Sequence, residues 1–392
     1  MGLMSSDRTD VAVVGAGPAG AWAAYTLARQ GARVTLFDGS HPREKPCGGG
    51  VTGRALERVA PAVDVDGLPA VTIDSVRFEA GRQATVIALG GDERLAPRLT
   101  VVPRAAFDAA LLAAAQRAGV RFRPERVTGV DAGHAGVTIA TRSGCHRADW
   151  VIGADGATSL VRRRLYRPFA RGELSIATGY YARGCTSHEV VVRFTFDPPG
   201  YLWSFPRPDH LAIGICAQAD DARPGPLRGV VADWIARSSI APDAPFVPYT
   251  WPIPSLPLDA WPREHPAGAR WMLAGDAAGL VDPLTREGIY FALESGALAA
   301  WALGGGDDPS ARYLDRMRDE LWPELSLAAR FKAGFYRRRF VDLLMLALAD
   351  SRRVRAVMAD LVTGRQPYAT LKRRLVGTFE PGLAWRLMRI AT

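Results

Sequence analysis

The sequence predicts an α/β protein in three parts: a parallel-sheet lobe that is discontinuous in sequence, an inserted and mainly antiparallel sheet, and a helical C-terminal segment. Three observations carry this. Two apolar runs, DVAVVG at 10–15 and RVTLFD at 33–38, flank a glycine turn and a stretch of small residues, the pattern of a β–α–β unit. Residues 71–102 and much of 173–217 alternate apolar and polar side chains, the period of a strand. Beyond residue 309 the chain reads as helix throughout.

The elements follow in order. A buried strand at 10–15 leads into a helix at 18–30 whose small residues face the sheet, and 33–38 is the next strand. A loop over 41–50 ends in three glycines, and Thr52 caps a short helix, GRALERV. Breaks at Gly81 and at Gly90 and Gly91 divide 71–102 into antiparallel strands. A helix covers 104–118, with short strands near 120, 127, 137 and 150. Strand dominates 173–217, in GYYAR, EVVVRFTF, YLWSF and HLAIGIC. The stretch 240–266, rich in Pro and Trp, reads as a loop crossing back to the first lobe. Residues 271–276, WMLAGD, form a strand entering a turn, followed by a helix that ends near Gly304. The chain therefore leaves the first lobe twice. This places 1–70, 101–168 and 268–305 in the first lobe, 71–100 and 169–267 in the inserted sheet lobe, and 306–392 in the helical segment.

Composition narrows the function. The 392 residues are 48% hydrophobic, ample for two packed lobes. The net charge of +9 is not spread evenly: from Ala311 onward 17 Lys or Arg face 8 Asp or Glu, and the first 310 residues balance. A basic tail on a neutral body argues against a nucleic-acid-binding protein. Cys47, Cys145, Cys185 and Cys216 form no CxxC pair, and the six histidines show no ligand spacing, so the expectation is reduced thiols and no metal. No stretch reaches the roughly 20 apolar residues that span a bilayer. The first strand follows too closely on Met1 for a leader, so a cytoplasmic protein is expected. Arginine far outnumbers lysine and asparagine is absent, a composition of GC-rich bacterial type.

Gly15, Gly17 and Gly20 form a GxGxxG with Ala16, Pro18 and Ala19 between them. It follows a strand and opens a helix, and Asp38 closes the second strand; that context makes it a dinucleotide-binding, Rossmann-type turn. Gly15 permits the tight turn, Gly17 lets backbone approach a pyrophosphate, and Gly20 allows the helix to pack closely on the strand. The helix N-terminus offers free N–H groups to the anion. Asp38 is placed to accept from ribose hydroxyls. These residues do not distinguish FAD from NAD.

Two further segments do. Asp155 and Gly156 within WVIGADGATSLVRR, and Gly275 and Asp276 within WMLAGDAAGLVDPLTREGIYFALESG, resemble the second and third flavin motifs of the p-hydroxybenzoate-hydroxylase-like flavoproteins, in that superfamily's order and spacing. Pro46, Cys47, Gly48, Gly49 and Gly50, the YLWSFP segment with Ala212, Ile213 and Gly214, and the run from Asp282 to Tyr290 bring the chain, over roughly 8–304, close to the geranylgeranyl reductase family. The resemblance implies FAD as cofactor, bound by the Rossmann-type lobe, and a substrate lobe in the inserted sheet. It implies that Asp276 binds ribityl hydroxyls, that Gly279, Gly288 and Ile289 lie close to the flavin, and that Arg104 stands on the cofactor side rather than being a surface arginine at a helix start. Asp155 is expected as support between the lobes with some cofactor contact. The loop with Cys47, Gly48, Gly49 and Gly50 is expected against the isoalloxazine ring, where Cys47 either tunes the flavin and moves protons or is a small buried residue. Tyr201, Trp203 and Phe205 share one strand face and either wall an apolar substrate tunnel or belong to the sheet core. Tyr201 and Cys47 are the candidate proton donors.

Two positions depart from the pattern. Asp38 stands where such flavoproteins often have Glu. Arg286 stands where the family often has Gly, a cation that could hold an anionic head group such as a diphosphate. No second GxGxxG serves a nicotinamide cofactor, so NAD(P)H binding transiently, a ferredoxin or another donor would supply electrons. The activity implied is reduction of isoprenoid carbon–carbon double bonds by hydride from reduced flavin. The alternatives on the same fold are a flavin monooxygenase or halogenase, a non-redox lycopene-cyclase-like enzyme, and an isoprenoid-binding escort protein. In the tail, Arg337, Arg338, Arg339, Arg352, Arg353, Lys372, Arg373 and Arg374 alternate with apolar runs. The pattern fits helices lying on an anionic membrane at its inner face, and equally helices packed on the protein with a solvated basic side.

Overall fold

In the computed structural model, residues 9–89 and 99–377 are described. The Gly90 and Gly91 break and the last part of the basic tail lie outside them. The first sheet has the parallel strand order Trp271–Leu273, Cys145–Gly153, Thr9–Val14, Val34–Phe37, Arg121–Arg123. Its central strand, Thr9–Val14, is buried at Val11, Ala12, Val13 and Val14, as a strand covered on both faces must be. The helix Pro18–Arg29 packs Ala19 and Ala23 on the helix Ile289–Leu303, where a Cβ on Gly296 would sit 2.4 Å from the Ala19 carbonyl oxygen. Small residues bring the two backbones this close.

The second sheet has seven strands in the order Phe246–Pro254, Leu174–Arg183, His210–Gln218, Pro199–Pro206, Glu189–Phe196, Ser75–Ala80, Gln83–Ala88. All its pairs are antiparallel except Glu189–Phe196 with Ser75–Ala80. A third sheet of three short strands, Gly50–Thr52, Leu99–Val101 and Val71–Thr72, ties the glycine loop to the junction between the large sheets.

Two local expectations are corrected. The stretch 240–266 contains a nine-residue strand, Phe246–Pro254, rather than a loop. It is an edge strand with one partner, and Pro248, Pro252 and Pro254 share one parity. Their missing N–H groups thus fall on one side, and an edge strand tolerates this on its unpaired side. Thr52 does stand at the N-cap of Gly53–Val59, but its hydroxyl makes no capping bond and is buried without a partner. The helix Pro224–Ser238, not expected from the sequence, lays Leu227, Val231, Trp234 and Ile235 on one face of the second sheet.

The C-terminal segment is helical as far as it is described. The helices Arg338–Asp350 and Arg352–Val362 press Val341, Met345, Leu348, Val354 and Ala359 onto Val76, Phe78, Ile87, Val190 and Phe194 of the second sheet. The apolar faces of these two helices are spent on the protein's own core. Among the described residues no helix is long and apolar enough to cross a membrane.

Candidate active site and its cofactor cradle

At the end of Thr9–Val14 the chain turns through Gly15, whose φ is 99°. A Cβ there would lie 2.4 Å from the Ala154 carbonyl oxygen, and one on Gly20 would lie 1.9 Å from the Gly15 carbonyl oxygen. Neither position admits a side chain. Gly17 differs: nothing lies within 4 Å of where its Cβ would be. It is the N-cap of Pro18–Arg29, no side chain caps that end, and the first turn holds no acidic residue. The helix thus presents unclaimed N–H groups to open space, which fits the pyrophosphate of FAD. Asp38 stands just past Phe37 and accepts from the Ala16 N–H at 2.9 Å and from the Ser40 N–H and hydroxyl at 2.8 and 2.9 Å. It therefore braces the glycine turn.

Asp155 is committed locally. It accepts from the Ser159 hydroxyl and from the N–H groups of Leu160 and Val161 at 2.6 and 3.3 Å. It thereby holds the start of Leu160–Leu165, and burial raises its pKa in spite of these bonds. The following Arg162 is buried, pairs with Glu264 at 3.0 Å and donates to the Ala277 carbonyl at 3.2 Å. The second motif thus supports the turn carrying the third.

That turn, Gly275–Ala278, follows Trp271–Leu273 and ends at Gly279 with φ 80°. The Asp276 carboxylate accepts from Lys45 Nζ at 2.7 Å. It faces a large cavity of about 270 Å³, far above the ~15 Å³ that one water needs. The cavity joins the two lobes. Pro18, Cys47, Gly48, Gly49, Gly50, Arg104, Asp276, Gly288 and Ile289 line it, and so do Tyr201, Trp203, Phe205 and Arg286. Gly15, Gly17, Ala19, Gly20, Asp38, Asp155, Gly275 and Gly279 lie outside its lining. The expected residues thus separate into a turn with its braces, at the first sheet, and a chamber beside it. Arg104 begins the helix Arg104–Arg117 and forks onto Asp108 through bonds of 2.9 and 2.7 Å. It is buried rather than a surface arginine. Burial pulls its pKa down, and the Asp108 carboxylate more than offsets this.

The glycine loop has anchors that sequence patterns do not mark. Arg207, fully buried, follows the strand Pro199–Pro206; it donates to Glu44 and, at 2.7 Å, to the Cys47 carbonyl. Glu44 in turn accepts the N–H groups of Arg104 and Ala105 at 3.2 and 3.0 Å, a carboxylate on a helix N-terminus. The Gly49 N–H lies 3.3 Å from Cys47 Sγ. Cβ atoms on Gly48 and Gly50 would each come within 3.1 Å of the Phe205 ring. Two of the three glycines therefore allow this aromatic ring to approach, a contact not foreseen from the sequence.

Tyr201 donates its hydroxyl to the Thr285 carbonyl at 2.8 Å, and burial raises its pKa well above the ordinary tyrosine value. Trp203 packs with Ala177, Cys216 and Tyr249, so it serves sheet core and cavity wall together. Glu287 also lines the cavity; burial raises its pKa, while Arg54, 3.2 Å away, pulls the other way. Lys45, Arg54, Arg207 and Glu287 are the cavity or loop residues that motif reading missed. Glu287 sits inside the third quoted segment, and Lys45 directly precedes Pro46 of the glycine-loop motif.

A nucleotide cradle, a carboxylate at the third motif and an apolar chamber between two lobes define an FAD-dependent oxidoreductase. Residues 8–184 match the FAD binding domain family. The chain is 31% identical over 379 residues to menaquinone reductase of Mycobacterium tuberculosis, covering 86% of this chain and 84% of that one. It is 30% identical over 318 residues to geranylgeranyl diphosphate reductase of Rhodobacter capsulatus, covering 75% of each. A geranylgeranyl bacteriochlorophyll reductase-like protein of Thermoplasma acidophilum superposes with a TM-score of 0.78 at 20% identity, over 95% of this chain and 100% of that one. The chain belongs to the geranylgeranyl reductase family of FAD-dependent oxidoreductases.

Proposed function

We propose that this enzyme reduces carbon–carbon double bonds of an isoprenoid chain. The observation that carries this is the cavity. Beside Asp276 and Gly288 it is lined by Val76, Phe78, Val190, Val192 and Phe194 of the second sheet and by Phe335, Met358 and Leu361 of the C-terminal helices. Such a wall suits a long branched hydrocarbon, and it excludes water from the reacting carbons. Gly15, Gly17, Pro18, Ala19, Gly20 and Asp38 would hold the ADP half of FAD, and Asp276, with Gly275, Gly279, Gly288 and Ile289 around it, the ribityl and ring half. Bound reduced FAD would supply the hydride, its electrons coming from NAD(P)H or, one at a time with protons from water, from a ferredoxin-type protein.

The chain's own part is to bind, orient and protonate. Arg104, held by Asp108, keeps positive charge beside the chamber. Tyr201 spends its proton on the Thr285 carbonyl and so orients the turn that bears Arg286. Cys47 is the better placed proton donor, because among the described residues no acceptor takes its S–H. Leu375 and Val376 are exposed beside Lys372, Arg373 and Arg374, and we place the contact with an anionic membrane surface there. Vesicles of neutral and anionic lipid, sedimented with the protein, test that contact.

Anaerobic incubation with chemically reduced flavin and a geranylgeranyl substrate tests the reaction. Product heavier by two hydrogens per turnover supports it. Oxygenated product formed only in air would make the enzyme a monooxygenase instead.

A further inference from the structure

A second cavity, of about 180 Å³, shares no lining residue with the chamber. Its floor is one face of the first sheet. Ala12 stands beside Thr35, Thr35 beside Arg121 and Phe37 beside Arg123, and neighbours in register point to the same side. Its cover is the hairpin of Gly136–Thr141 and Cys145–Gly153, where Ile139 stands opposite His146. The His146 ring rests 5.2 Å from the Phe37 ring. Ala12, Phe37 and Ile139 are buried, and so is Thr35, whose hydroxyl meets that of Thr9 at 3.0 Å. The volume is many times the ~15 Å³ that one water needs.

Arg121, Arg123 and Arg147 line this space with Thr9, Thr35, Cys145 and His146, and among the described residues no carboxylate does. Arg121 and Arg123 lie two apart on one short strand, so their side chains share a face. Glu125 stands outside the lining. It accepts from Arg123 at 3.3 Å and lies 3.8 Å from His146 Nε2. The Ser143 and Thr141 hydroxyls are the main cause that holds its pKa down, to about 2. It thus serves Arg123 from one side and leaves the inner space to the cations. Among the described residues Arg147 forms no ion pair, and His146 Nε2 is buried without a hydrogen-bond partner. The first 310 residues carry no net charge, so this concentration of arginine is local. Like charges gathered around one partly enclosed space repel unless an anion joins them. The guanidinium fork matches the oxygens of a phosphate in geometry as well as charge.

We propose that this cavity is a second ligand site, separate from the cofactor cradle and the chamber, which takes a phosphate group, either as the inorganic ion or as the ester of a small metabolite. Arg121, Arg123 and Arg147 supply the charged donors, and the Thr35 hydroxyl and His146 Nε2 complete the set. The site is independent of the reaction assigned to the chamber.

The FAD-loaded full-length protein is titrated by calorimetry with sodium phosphate and with glycerol 3-phosphate, against sodium chloride at matched ionic strength. The same titrations are run on Arg147→Met, whose side chain is exposed, and on Thr35→Val, after FAD content and a melting curve confirm folding. One or both phosphates should bind wild type with a Kd of about 1 mM or below, and chloride should not replace them. Arg147→Met should weaken that binding at least about tenfold, the scale of one charge-assisted contact, and Thr35→Val by less. Tighter binding of the ester assigns the site to a phosphorylated metabolite; equal or tighter binding of phosphate assigns it to the inorganic ion. Absence of binding by both overturns the site, and so does equal binding by wild type and Arg147→Met. Binding shown by FAD-free protein and lost on loading with FAD places the anion in the pyrophosphate cradle and overturns the site as well.

Discussion

Arg207→Met tests how the glycine loop is held. Methionine keeps the length of the side chain and removes its charge and donors. The wild-type guanidinium is fully buried and serves two acceptors, the Glu44 carboxylate and the Cys47 carbonyl. Removing one member of a buried pair costs about 3–5 kcal/mol. Here Glu44 keeps the N–H groups of Arg104 and Ala105, and its side chain is 30% exposed. The charge left behind is thus partly solvated, and about 3 kcal/mol is the appropriate figure. At ~2.1 cal/mol/K of unfolding entropy per residue, a cooperative unit of this length loses about 4 °C in melting temperature. The larger effect falls on the cofactor, because the freed loop lines the chamber beside Asp276. FAD affinity should drop at least about tenfold, since a bond near the charged-group range of ~1.5–3 kcal/mol no longer orders the loop. The assay is flavin fluorescence during titration of apoprotein, beside a melting curve. An Arg207→Met protein that melts with wild type and binds FAD equally well would refute the assigned anchoring role.

Other outcomes follow from the same geometry. Asp38→Ala removes the acceptor bracing Ala16 and Ser40 and should weaken FAD binding at least about tenfold, with Asp38→Asn less severe; equilibrium dialysis against FAD measures both. Gly48→Ala places a methyl 3.1 Å from the Phe205 ring and should cost about 1–3 kcal/mol by overpacking; combined with Phe205→Leu the cost should largely vanish in denaturant melts. Lys332 carries a pH signature. Burial, reinforced by Arg286, pushes its pKa down to about 7 in the folded protein against 10.5 in the unfolded chain. Between those values the unfolded chain holds a proton that the folded protein has shed, so stability rises with pH across that window and the penalty is complete below it. Urea midpoints at roughly pH 6, 8 and 10 should therefore converge between wild type and Lys332→Met as pH rises; a constant gap would contradict it.

What was legible in the sequence was local. The turn at Gly15 and Gly20 depends on contacts within one β–α–β unit and with Ala154, and its residues are spaced to show it. The strand Phe246–Pro254 was hidden because prolines usually end strands; only its place at the sheet edge makes them tolerable. The helix Pro224–Ser238 begins amid Pro and Gly residues, which mask its start. Arg207 and Glu44 lie 163 residues apart, and no pattern in either neighbourhood announces the pair. The same holds for Arg286 and Lys332, which meet through Ser255. For Arg338–Asp350 and Arg352–Val362, helical periodicity showed an apolar face; it could not say that the second sheet covers it.

The order of the parallel strands has a consequence for how the chain is made. Thr9–Val14 and Cys145–Gly153 can pair once about half the chain has left the ribosome; the first half of Cys145–Gly153 then also has Gly136–Thr141 beside it, but Val151 to Gly153 receive their other neighbour only from Trp271–Leu273. Until then Val151 and Ile152 present an apolar, unpaired edge, the kind that recruits other chains. The glycine turn and Asp38 thus precede Asp276 by some 240 residues of synthesis, roughly 12–50 s at ordinary elongation rates. A nascent chain in that interval has the glycine turn without Asp276, and an open sheet. Expression yield should therefore respond to FAD supply and chaperone capacity more than the stability of the finished fold would suggest.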